Sequence, residues 1–216
     1  RSVAQLVSYE VPLGLSVLTV VLFSGTLDLG KIAMSQSTES SGFFLGISGL
    51  SHAGGFTAWN IFLMPVLMPV FIIFFICSLA ESNRAPFDLP EAESELVAGF
   101  HTEYGGFPWA VIMLAEYGMM LLTCLLGSIL FLGAWNTPFA DVGTFHLGEW
   151  TTGPGWGIFW LFSKAVFLVL VQIWVRWTYP RIRLNQLLAV SWKYLTPASI
   201  VLMIVTGTWK LLLAEQ

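Results

Sequence analysis

Charge is scarce in this chain. Only 10% of its 216 residues are Asp, Glu, Lys or Arg, while 56% are hydrophobic and the mean hydropathy is +0.77. Soluble domains carry about 25% charged residues, so the composition belongs to the membrane class. No basic stripe runs along the chain, which removes nucleic acid as a partner. Cysteine is almost absent: Cys77 and Cys124 both lie in apolar segments and form no Cys-x-x-Cys pair. An iron–sulfur cluster takes about four thiolates, so this chain holds none alone. The three histidines, His52, His101 and His146, fall in connections between apolar segments, which excludes a haem slung between two membrane helices. The acids show no calcium-loop spacing, and no metal site is expected. Electrons, if they move in this system, are carried by other chains.

Long apolar runs are what the chain has in quantity. A spanning helix needs about 20 mostly apolar residues, and five segments qualify: residues 4–27, 60–79, 107–132, 157–175 and 194–213. The expected fold is an all-α polytopic membrane protein, a single membrane domain over residues 1–216. Trp59, Trp109, Trp156, Trp177 and Trp192 flank these runs as an interfacial belt would. Pro65 and Pro69 fall inside the second segment, each removing a backbone donor, so that helix is expected to kink. The connection 28–59 is rich in Ser and Gly and reads as a flexible loop. Orientation follows from Lys and Arg. Parity puts Arg1, Arg84, Arg176, Arg181, Arg183 and Lys193 on one side, against Lys31 and Lys210 on the other. That count makes the connections 80–106 and 176–193 cytoplasmic.

The connection 80–106 is the anomaly. It holds Glu81, Asp88, Glu91, Glu93, Glu95 and Glu103 against one cation, Arg84. A link between membrane helices has no structural need for so many carboxylates. They are interleaved with Pro86, Phe87, Leu89, Leu96, Val97 and Phe100, so the segment reads as packed rather than floating. LPEAESELVAG suits a short helix, with Pro90 at its start, acids at the positive end of the dipole and Gly99 at its stop. Glu91 and Glu95, four apart, would share a face and repel. Crowded, partly desolvated carboxylates gain proton affinity.

Three ionisable residues lie inside apolar segments: Glu10, Glu116 and Lys164. A charge at the bilayer centre costs at least ~2.5–3.5 kcal/mol, so such residues usually face the protein interior. Counted from opposite ends at 1.5 Å per residue, Glu116 lies ~14 Å deep and Lys164 roughly 10 Å deep. In a core of ~30 Å those depths nearly coincide. The expectation is one polar network joining Glu116, Lys164 and Glu10. The final connection, 176–193, is basic and amphipathic and reads as an anchor on the positive side.

The spelling NRAPFDLPEAESELVAGFHTEY, residues 83–104, resembles the signature of the H-type membrane subunit of NADH:quinone oxidoreductase, respiratory complex I, at which quinone enters. SYEVPLGL (8–15), LFLGAWNTPF (130–139) and VRWTYPRIRLNQLL (175–188) resemble further blocks of that family in the same order. In that family other helices precede the SYE block, and this chain, which begins at Arg1, is expected to be the C-terminal portion of a longer subunit. The resemblance implies a multi-pass protein of an energy-transducing inner membrane, working without a redox centre of its own. Quinone would be the substrate, with FMN and iron–sulfur clusters held by partner subunits. Peripheral-arm subunits at the quinone site, small membrane subunits and the lipid bilayer would be the partners. It further implies a quinone vicinity formed by Arg84, Phe87, Asp88, Phe100, Arg176 and Tyr179. Glu10, Glu81, Asp88, Glu91, Glu93, Glu95, Glu103, Glu116 and Lys164 would carry proton or charge coupling. The family usually has Asp where this chain has Asn185. Two other readings remain: a membrane-bound hydrogenase subunit, which should keep fewer of these acids, and an ion-coupled transporter, which would not need the packed acidic connection.

Overall fold

The structure, a computed structural model, describes residues 2–37, 43–44, 47–48, 55–82, 86–87, 106–139, 151, 153–180, 182 and 184–214. Its long elements are α1 (Ser2–Ser24), α4 (Leu67–Glu81), α5 (Phe107–Phe131), α6 (Pro154–Thr178) and α8 (Thr196–Ala214). Shorter pieces join them: α2 (Leu29–Ser35), a 3-10 turn (Gly55–Ala58), α3 (Asn60–Leu63) and α7 (Leu184–Ala189). A π-helical turn (Val190–Leu195) fuses α7 to α8. Phe43–Phe44 and Ile47–Ser48 pair as a two-residue antiparallel ribbon, a minor exception among described residues that are otherwise helical or irregular. Four helices are long and apolar enough to cross a membrane, and α4 is a shorter apolar helix. The chain is a polytopic membrane protein.

The long helices alternate in direction. α1 lies between α4 and α8, α5 packs on α4, and α6 packs on α5. We call the end holding Glu81, Gly106 and Thr178 proximal and the other end distal. The distal-to-central core gathers Val20, Leu67, Phe74, Cys124, Phe131 and Leu168. A second cluster at the proximal end gathers Tyr9, Ile73, Cys77, Phe87, Leu187 and Leu195. Hydroxyls inside the helices donate to carbonyls three or four residues back, as at Thr19, Ser78, Thr123 and Thr206. Such bonds keep polar side chains satisfied where water is excluded.

Two boundaries differ from expectation for identifiable reasons. The second span does not kink but breaks: Met64 is extended (φ −136°, ψ 125°), ending α3, and the chain restarts at Leu67. Pro69 then falls in the first turn of α4, where the missing N–H is no loss. The last span begins ten residues early, because much of the 176–193 connection is helical. Pro197 has no N–H for the carbonyl four residues back, and the Thr196 amide bonds instead to Ser191 O, widening the turn. Lys193 and Trp192 are therefore helical rather than loop residues.

Candidate functional site

At the proximal end, the SYE block folds inward through its first two residues. Pro12 leaves the carbonyl of Ser8 without its usual helical donor. Ser191 Oγ, on the π-helical turn, donates to that carbonyl. The neighbouring Tyr9 ring is fully buried, and its hydroxyl donates to Leu187 O at 3.1 Å. Phe87 docks against Tyr9 with ring centroids 5.4 Å apart, and the Ile182 amide donates to Pro86 O at 3.2 Å. Three blocks far apart in the chain thus form one packed surface, to which the acidic connection contributes Pro86 and Phe87 among its described residues.

Glu81, the last residue of α4, lies beyond the apolar run that ends at Ala80. Partial burial raises its carboxyl above the usual carboxylate range, and the Glu10 carboxylate raises it further. Glu10 itself is exposed in this chain rather than turned into the interior. Arg176 lines a niche of about 130 Å³ with Tyr117, Met120, Gln172 and Ile173. Gln172 Nε2, deeply buried, donates to Ser78 Oγ at 3.0 Å, tying α6 to α4. Tyr179 is exposed and caps the C-terminus of α6. Arg84, Asp88, Glu91, Glu93, Glu95, Phe100 and Glu103 lie outside the described residues, as does the short helix expected at LPEAESELVAG.

At the distal end the structure corrects the expected meeting of Glu116 and Lys164. Lys164 is buried as foreseen, but its Nζ donates to the carbonyls of Leu132, Ala134 and Asn136 at 2.7, 3.0 and 2.6 Å. Its Nζ also stands 4.7 Å from the centre of the Trp59 ring. Glu116 is half-buried near the opposite end of α5, sixteen residues or about 24 Å along the helix from Leu132. The depth count failed because α5 ends level with the middle of α6. The first turns of α6 stand beside the irregular 132–139 segment instead, with Trp135 against Gly157 and Phe139 against Trp160.

That ending leaves backbone carbonyls without helical donors beside the middle of α6, and side chains take them in turn. Gln36 Nε2 donates to Ile129 O at 3.0 Å and Asn60 Nδ2 to Leu130 O at 2.7 Å. Gln36 Oε1 accepts from the amides of Asn60 and Gly133. Asn136 Nδ2 reaches back to Ala33 O at 2.7 Å. Gln36, Asn60 and Asn136 drew no attention in the sequence. Each is a single uncharged polar residue at a segment end, and their convergence spans 70 to 103 residues of chain. Trp59 belongs to this node and is half-buried, whereas Trp109, Trp156, Trp177 and Trp192 are exposed as a belt requires.

The NADH dehydrogenase family model matches residues 1–207. This chain belongs to the NADH dehydrogenase family. Its relatives include the H-type subunit of NADH-quinone oxidoreductase, numbered 2, of Cytophaga hutchinsonii, 50% identical over 97% of this chain and 62% of its own length. The H-type subunit of Chlorobaculum parvum is 46% identical over 97% of this chain and 54% of its own. For that of Rhodospirillum centenum the figures are 43%, 96% and 53%. The chain spans little more than half the length of these NADH dehydrogenase family relatives.

Proposed function

We propose that this chain is the part of the H-type membrane subunit of complex I that walls the quinone channel and begins the buried charge path toward proton-pumping subunits. It works as a subunit of an NADH:quinone oxidoreductase, without a redox centre of its own, in an energy-transducing inner membrane. Quinone is the substrate, and FMN and iron–sulfur clusters sit in peripheral-arm subunits docked on the cytoplasmic, proximal end. The observation that carries this reading is the docking of Pro86 and Phe87 onto Tyr9 and Ile182. It holds the start of the acidic signature against the bundle, beside Glu81, whose carboxyl is raised by burial and then by the Glu10 charge. Arg84, Phe87, Asp88, Phe100, Arg176 and Tyr179 would lie along the chamber wall. Glu81, Glu10, Glu116 and the acids from Asp88 to Glu103 would respond to charge appearing there, and Lys164 would act further along.

The test is selective neutralisation in the whole enzyme. Asp88→Asn combined with Glu91→Gln, Glu93→Gln or Glu95→Gln should depress quinone reduction at least tenfold while NADH oxidation by an artificial upstream acceptor continues. Undiminished quinone reduction in an assembled complex would reduce the connection to a solvated linker.

A further inference from the structure

We propose that the carbonyls of Leu132, Ala134 and Asn136, roofed by the Trp59 ring, form a cage for an ammonium-type cation. Lys164 fills it with its own Nζ and so acts as a positioning residue for the 132–139 segment. An ammonium has three N–H donors and no acceptor. Here three acceptors stand 2.6–3.0 Å from one nitrogen, and every hydrogen is matched. The π face at 4.7 Å adds the surface that ammonium-type cations favour. A bare metal cation would call for more oxygens, about six for potassium-like or calcium-like ions, and a ring face supplies none.

The backbone is shaped for this convergence. Gly133 (φ 73°) and Ala134 (φ 44°) are consecutive left-handed residues, and Ala134 bears the steric penalty of a Cβ there. Alternate carbonyls, at 132, 134 and 136, are thereby turned to one point. A lysine that merely filled space would not need them. Charge in the cage, rather than the bulk of the lysine stem, then holds irregular backbone in a buried, apolar setting, where unsatisfied carbonyls are costly. The inference concerns how the distal end is held and needs nothing from the charge-path role proposed for Lys164.

The experiment uses the full-length subunit in its membrane assembly, with Thr137→Cys as reporter. Thr137 is buried in the 132–139 segment, and maleimide labelling at that position is followed by mass spectrometry of its peptide. Lys164→Met keeps the stem of the side chain as far as Cε and removes the ammonium. It should raise the labelling rate at least tenfold. Lys164→Ala should do the same, and ethylammonium should bring its rate down at least threefold. Tetramethylammonium, which has no N–H, should not. Ethylammonium should leave Lys164→Met unchanged, because the methionine stem occupies its place. Labelling of Lys164→Met within twofold of the parent would overturn the proposal, and so would Lys164→Ala that ethylammonium leaves unaltered. If neither variant accumulates, the readout becomes the yield of Lys164→Ala complex from cells supplied with ethylammonium: a threefold recovery supports the cage, and none refutes it. Quinone reduction is not measured, so failure here leaves the functional reading intact.

Discussion

Phe87→Ala separates the docked acidic connection from the bundle more cleanly than any change to its charges. Phe87 is 5% exposed, in contact with the buried Tyr9 ring and clustered with Cys77 and Leu187. Truncating a buried Phe to Ala costs about 3–5 kcal/mol, of which about 0.5–1.5 reflects ring geometry with Tyr9. Among the described contacts, the bond from the Ile182 amide to Pro86 O stays at this anchor, contributing about 1 kcal/mol. At 1.4 kcal/mol per decade, the docked state loses roughly a hundredfold to several thousandfold in its equilibrium. Amide exchange in a peptide covering residues 82–89 should accelerate by at least a hundredfold in the intact complex. Quinone reduction should fall with it while NADH oxidation by an upstream acceptor persists. Phe87→Leu, which keeps most of the apolar volume, should lie between. Exchange within twofold of the parent would refute the anchoring argument, whatever the activity did.

Gly133→Ala should destabilise the distal node, because a Cβ there would stand 2.7 Å from Trp59 Cδ1 at a φ of +73°. The left-handed penalty alone is about 1–2 kcal/mol. Trp59 also lines a cleft of about 320 Å³ into which its ring has room to move, so the variant should assemble and then inactivate faster on heating. Ala134→Gly, which relieves the neighbouring strain, should stay within about 1 kcal/mol of the parent. Glu81→Gln bears on pH. The folded carboxyl is raised, so ionisation penalises the folded state, and that penalty is absent at acid pH and grows as pH rises through the ordinary carboxylate range to the raised value. Thermal denaturation of the complex should find Glu81→Gln more stable than the parent near neutrality and equal to it below about pH 4; a variant less stable at pH 7.5 would contradict the sign.

The five apolar segments were legible because length and hydropathy are local properties, and the four long spans cover the expected first, third, fourth and fifth segments. Pro65 marked an interruption, but only the extended Met64 turns a kink into a break. The helical extension through Leu184–Ala189 was hidden by its basic, aromatic flanks, which read as an interface anchor, and by Pro197, which reads as a stop. Phe87 was legible as an apolar residue in polar company, whereas the burial of its partner Tyr9 was not. The Lys164 node was half legible. Burial of a mid-span lysine follows from the cost of charge in lipid, but its partners are backbone carbonyls, and sequence does not announce where a helix stops short of its neighbour's far end.

Lys164 has a counterpart. Lys210 Nζ donates to Leu22 O at 3.0 Å, on the last turn of α1, so both helices that run from the proximal end and stop at a turn finish under a neighbour's ammonium. Each cation meets the negative pole of a helix dipole. Positive-residue counts assume that a lysine near a span end answers to the membrane surface and to the potential across it. These two answer to helix ends. Lys164 lies inside a span and never entered that count; with Lys210 struck from it, Lys31 is left as the distal residue that still weighs on which way the chain threads the bilayer, and the imbalance in favour of the proximal end becomes steeper than the raw numbers suggest.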